Sequence, residues 1–193
     1  MNATILRAVE CLPMNGRLIY VVGPSGSGKD SVIDYARARL PAGSNVVFAR
    51  RTITRPASAG GERHEAVTPE AFDRRLAQGD FAMHWQANGL SYGVGREIRD
   101  WLGAGQTVIV SGSRGHLPDA MAAFPAIEVV HVSAPLETLK RRLEARGRED
   151  AANVARRIER AVRLGLPAGL QAFEIVNDGE LAVAGERLLA FIA

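Results

Sequence analysis

This chain of 193 residues has almost no lysine: 22 of its 24 basic residues are arginine. It has one cysteine, Cys11, which excludes an internal disulfide, and no Cys/His cluster falls at metal-site spacing. A reducing compartment is the expectation. No apolar stretch approaches the ~20 residues of a membrane span, and the first residues lack the basic-then-apolar order of a secretory signal. A soluble, cytoplasmic protein with no membrane partner is expected. Nor is there a basic stripe with interleaved aromatics, so no nucleic-acid partner is expected. Net charge is only +3. The arginine bias has two readings, genomic background and a supply of forked, bidentate grips on phosphate; composition alone favours the first. Oligomeric state is left open.

What is there is alternation. Residues 17–22, RLIYVV, read as a buried strand, and 30–40 carry apolar residues at helical spacing before stopping at Pro41. Further strands are expected at 46–49, 107–110, 127–132 and 174–176. Helices are expected at 69–78, capped by Thr68, and at 96–102, 135–146, 151–164 and 180–192. Strand and helix in turn specify an α/β fold, a parallel sheet with helices on both faces. Residues 1–14 read as a loose leader.

Between the first strand and the first helix lies GPSGSGKDS, residues 23–31, with the G-x-x-x-x-G-K spacing of a phosphate loop. Gly23, Gly26 and Gly28 let the backbone bend until its N–H groups converge on a phosphate, and the helix adds its positive end. Pro24, Ser25, Ser27, Asp30 and Ser31 complete the expected ATP-binding loop, and Lys29 reaches the outer phosphates. One position is unusual. The residue after the lysine ordinarily carries a hydroxyl for magnesium, while a neighbouring strand end carries an Asp. Here Asp30 follows the lysine, and the strand ending at Val110 runs into SGSRG, which has no carboxylate. The expectation is that Asp30 moves the missing acid into the loop as an oxygen ligand for Mg2+, with Ser31 nearby. The duller reading is an anion that favours a helix N-terminus.

Beyond the loop come TITRP at 52–56, GE at 61–62, AFDRRLAQGDF at 71–81, SYGV at 91–94, LKRRLEARGRED at 139–150, VARRIERA at 154–161 and VND at 176–178. In collinear order these resemble the guanylate kinase fold family. The departures fall on the acceptor side: Ser58 replaces the second arginine of the family's T-T-R-x-x-R, His64 stands at a tyrosine, Met83 aligns with the glutamate that reads guanine, and SGSRG replaces an acidic strand end. A guanine site without its carboxylates would lose most of its discrimination. Where that pattern fails, GPSGSGKDS, HWQANGLSYGVG at 84–95, GSRGHLP at 112–118 and LEARGRE at 143–149 resemble the ribose 1,5-bisphosphate phosphokinases of phosphonate catabolism.

That resemblance implies transfer of the ATP γ-phosphoryl group to a phosphorylated sugar, with ATP and Mg2+ as cofactors; a nucleoside monophosphate kinase is the alternative. It implies one kinase domain over 1–193, with a core at 15–50 and 104–193, an acceptor-binding insertion at about 51–95 and a lid at about 144–160. Lys29 and the lid arginines Arg142, Arg146 and Arg157 are the expected catalytic residues. Arg51, Arg55 and Arg114 are expected on the acceptor side, with Ser91, Tyr92, Ser111 and Ser113 bonding phosphate or ribose hydroxyls. Against these stand blander roles: Arg142 and Arg146 as charges at a helix C-terminus, Trp85 as a core aromatic, and His84, His116 and His131 as packing or surface residues. His64 stays open.

Overall fold

The computed structural model describes residues 15–56, 63–145 and 151–193. The expected leader at 1–14, Ser58 and Arg146 lie outside them. In chain order the strands are β1 (Leu18–Val22), β2 (Val46–Phe48), β3 (Arg51–Ile53), β4 (His64–Ala66), β5 (Phe81–Ala87), β6 (Leu90–Gly95), β7 (Thr107–Ser111), β8 (Glu128–Ser133) and β9 (Phe173–Val176). The helices are α1 (Lys29–Arg39), α2 (Pro69–Ala77), α3 (Glu97–Gly103), α4 (Leu117–Ala123), α5 (Leu136–Ala145), α6 (Ala151–Arg163) and α7 (Leu181–Ile192).

β1 is buried at every position because it is central: the main sheet runs β2-β7-β1-β8-β9, and every pairing is parallel. Both faces of such a sheet are covered, which is why the central β1 reads as an unbroken apolar run. Successive side chains of β1 enter opposite layers. Ile19 and Val21 pack with Val32, Ile33 and Ala36 of α1 and with Ala184, Leu188 and Ile192 of α7. Leu18, Tyr20 and Val22 pack with Ile98 and Leu102 of α3 and with Leu117 and Ala120 of α4. Helices on both faces of a parallel sheet are therefore present, and Thr68 caps α2 by accepting from Ala71 N at 3.2 Å.

The sequence reading leaves 51–95 without strands, and there the structure differs. A second sheet, ordered β4-β3-β6-β5, fills that stretch, parallel between β3 and β4 and antiparallel elsewhere. β3 and β4 have three residues each, too short to show a period of two. The β5–β6 hairpin turns on Asn88 and Gly89, both at positive φ (51° and 72°), the pair that a two-residue type I′ turn requires. Helix α4 is likewise an addition. No helix among the described residues is long and apolar enough to cross a membrane.

Candidate active site

The loop between β1 and α1 is fixed from behind. A Cβ on Gly23 would fall 2.2 Å from Val132 O, so only glycine lets the loop lie against β8. Gly28, at φ +80°, would place a Cβ 2.3 Å from Asn177 Nδ2. That amide donates to Ser27 O at 2.7 Å, and the Asn177 backbone N–H donates to Ser133 O at 2.8 Å. Arg142 Nη1 adds bonds to Asn177 O at 2.9 Å and to Gly26 O and Ser27 O at 3.4 Å each. Holding the carbonyls from the rear suits a loop whose N–H groups serve an anion.

Asp30 Oδ1 is a meeting point. It accepts from Lys29 Nζ at 2.7 Å, from Ser111 Oγ at 2.7 Å and from Arg51 Nη2 at 3.4 Å, while Lys29 Nζ also donates to Ser111 Oγ. Burial pushes this carboxyl up; the charges of Lys29 and Arg51, with the hydrogen bonds from Lys29 and Ser111, reverse the shift and hold it well below the usual carboxylate range. Asp30 stays charged at any working pH. No protein hydrogen bond involves Oδ2 among the described residues.

In front of the loop opens a cleft of about 470 Å³. Its wall carries Lys29, Arg51, Arg55, Arg114, Arg157 and Arg160, and Asp30 is its one acid among the described residues. His64 on β4 braces Arg55: His64 Nε2–H donates to Arg55 O at 3.0 Å and Nδ1 accepts from Arg55 Nη2 at 3.3 Å, one neutral tautomer satisfying both. Arg114 Nη1 donates to the carbonyls of Ala161 at 3.2 Å and of Leu164, tying the turn at Arg114–His116 to the end of α6. Burial, and then the charge of Arg160, lower its pKa.

Aromatic rings close one side of the cleft. Trp85 stacks on Tyr92 (centroids 5.4 Å apart, planes 1° apart) and on His116 (5.0 Å, 24°). Tyr20 OH accepts from Ser113 N at 3.1 Å and lies 3.0 Å from His116 Nδ1, to which it donates. Burial pushes Tyr20 up to about 12 and His116 down, so both are neutral.

Of the expected residues, Gly23, Pro24, Ser25, Gly26, Gly28, Lys29, Asp30 and Ser31 line the cleft, as do Arg51, Arg55, Tyr92, Ser113, Arg114 and Arg157. Ser27 is fully buried beneath the loop. Ser91 does not line the cleft: it alternates with Leu90 and Tyr92, which do, and its backbone pairs with Thr54. Ser111 sits behind Lys29, and Arg142 behind the loop rather than over the cleft. Arg146 is outside the described residues. Sequence reasoning missed Arg160, although its i+3 spacing from Arg157 on α6 was a usable signal. It also missed Asn88, and Asn177 as a brace.

Could the site hold magnesium? No group of three or more His, Cys, Asp or Glu among the described residues could hold an ion unaided. A free carboxylate oxygen on Asp30 and the Ser31 hydroxyl beside it are hard donors, however, and they suit an ion that takes its remaining oxygens from phosphates and water. The residues fit.

A family model described as "AAA domain" matches residues 19–161. The chain is 49% identical to "Ribose 1,5-bisphosphate phosphokinase PhnN" of Thiobacillus denitrificans, over 92% of this chain and 93% of the relative. It is 50% identical to the protein of the same name from Chromobacterium violaceum, over 92% and 94%. A solved guanylate kinase from Anaplasma phagocytophilum shares the fold, with a TM-score of 0.67 over 92% of this chain and 84% of that one at 20% identity. With its glycine-bent loop, its arginine wall and relatives of this closeness, the chain belongs to the ribose 1,5-bisphosphate phosphokinase family, on a guanylate-kinase-like P-loop fold.

Proposed function

We propose that this protein is a cytoplasmic phosphotransferase of phosphonate degradation. It moves the γ-phosphoryl group of ATP to the 1-phosphate of ribose 1,5-bisphosphate, giving 5-phosphoribosyl 1-diphosphate and ADP. The observation that carries this reading is the charge of the cleft wall, six cations against a single carboxylate among the described residues. Such a wall suits two polyanions brought together, and among the described residues it offers no acid besides Asp30 to read a purine. Met83, which aligns with the guanine-reading glutamate, is buried in the core, and Trp85 beside it on the same face of β5 is stacked between other rings.

The chemistry asks little of a base. A phosphate monoester has a second pKa of about 6, so the acceptor is already an anionic nucleophile near neutral pH. An acceptor oxygen forms the new bond to the γ-phosphorus while the bond to the bridging oxygen breaks and ADP leaves. Positioning and charge stabilisation then dominate. Lys29, turning from Asp30, reaches the outer phosphates from the donor side; Arg51 and Arg55 hold the acceptor; Arg157 and Arg160 of α6 complete the enclosure that keeps water out. When bound, Mg2+ neutralises phosphate charge, and Asp30 with Ser31 are the residues that would hold it. Segment 51–95 serves as the acceptor-binding part of the domain and 144–160 as its lid.

A coupled ADP-release assay with product identification tests the reading. Ribose 1,5-bisphosphate should support turnover and yield the diphosphate, whereas GMP should be turned over at least about 10²-fold less efficiently. Equal or better use of GMP would make this a nucleoside monophosphate kinase.

A further inference from the structure

In a phosphate loop the side chain after the lysine ordinarily offers a hydroxyl and a neighbouring strand end a carboxylate, the two holding magnesium between them. Here each position carries the other group. Asp30 follows Lys29, and Ser111 ends β7, beside Val21 of β1. The exchange has kept the contact. Ser111 Oγ donates to Asp30 Oδ1 at 2.7 Å, and Lys29 Nζ reaches both side chains. One oxygen of the carboxylate is thus committed to protein partners, and Oδ2 is left for something else.

We propose that Asp30 and Ser111 are a transposed pair: Asp30 ligates the divalent ion that accompanies ATP through Oδ2, and Ser111, through its bond to Oδ1, is the positioning residue that aims the carboxylate. Because no second acidic residue among the described residues lines the cleft with Asp30, the pair supplies one negative charge to the ion, the same number as the ordinary arrangement with its acid on the strand. Arg51 also donates to Oδ1, so the acceptor wall and the ion share a single anchor. This inference rests on the reading above that the cleft works on ATP with a divalent ion.

The transposition predicts that returning the two groups to their ordinary places restores the site. Mn2+ affinity is measured by electron paramagnetic resonance in the presence of ADP, alongside ADP affinity in the absence of metal and the melting temperature. Asp30→Ser should weaken Mn2+ by at least about tenfold, and Ser111→Ala by about tenfold, the usual effect of removing an outer-shell partner. The double variant Asp30→Ser/Ser111→Asp should recover most of that loss. Removing Asp30 also releases Lys29 and Arg51, so the metal-free ADP affinity of each variant is the baseline against which its Mn2+ affinity is read. Should the serine variant lose its fold, Asp30→Asn carries the same expectation. Unchanged Mn2+ affinity in Asp30→Ser or Asp30→Asn overturns the ligand role, and a folded double variant no tighter than Asp30→Ser overturns the transposition. Failure of the wild type to bind ADP at all would instead overturn the phosphotransferase reading beneath it.

Discussion

Arg142 engages three backbone carbonyls with a single Nη1, two of them in the phosphate loop and the third on Asn177. Hydrogen bonds to a charged donor are worth roughly 1.5–3 kcal/mol each way they are counted. Arg142→Ala should therefore lower the melting temperature and weaken ADP by roughly tenfold or more, as read by calorimetry, because the loop loses its rear support. Lysine at the same position should recover only part, since one ammonium does not reproduce the guanidinium fork. If turnover falls while ADP affinity and stability hold, Arg142 belongs to the transition-state clamp instead. His116 gives a second test. Burial holds it neutral, below its ordinary 6.5, with His84 adding to the depression and Asp119 opposing it. Its folded pKa is thus lower than its unfolded one, so the unfolded chain binds more protons as pH falls through that range, and stability falls with it. His116→Gln, which can still accept from Tyr20, should show a smaller drop in melting temperature between about pH 7 and about pH 5 than wild type. An identical drop in both would mean that other groups carry the acid sensitivity.

The β5–β6 hairpin matters through what it presents. Trp85 is only 9% exposed, and its paired neighbour Tyr92 lies directly across the strands. Trp85→Ala should cost up to about 3–5 kcal/mol of stability by leaving a cavity. It should also raise the ratio of GMP to ribose 1,5-bisphosphate efficiency by opening that side of the cleft. A destabilised variant with an unchanged ratio would confine Trp85 to packing. At this scale the sequence was legible where the physics is local. The apolar run at 18–22 stands out because a doubly covered parallel strand needs no polar face. In the second sheet β3 and β4, at three residues each, carry no period, whereas β5 and β6 are longer and the Asn88-Gly89 pair between them was a hairpin signal that the sequence reading did not use. The phosphate loop could be read from spacing alone. Its rear support could not: Arg142 and Asn177 meet Ser27 across 115 and 150 residues of chain, a meeting that depends on topology.

Taken as one body, the protein joins two sheets of different kinds around a cleft, and Arg51 of the second sheet bonds Asp30 of the first layer of helices. The donor loop belongs to the parallel sheet, where strand ends and helix starts come together, as ligand sites in open α/β sheets do. Arg51, Arg55, Trp85 and Tyr92 come from the mixed sheet and its edges, a part whose pattern the chain states weakly. The family resemblance supplied what periodicity did not, because motif order along the chain survives where strand signals fade.

The near-absence of lysine has a practical consequence. The chain's two primary-amine side chains are Lys29 in the cleft and Lys140, exposed on α5. An acylating reagent selective for amines leaves every guanidinium untouched, so inactivation that nucleotide prevents would report on Lys29 Nζ rather than on exposed Lys140 or the α-amine. Nucleotide should shield that atom, and mass spectrometry of the two modified peptides, with and without ATP, would show it.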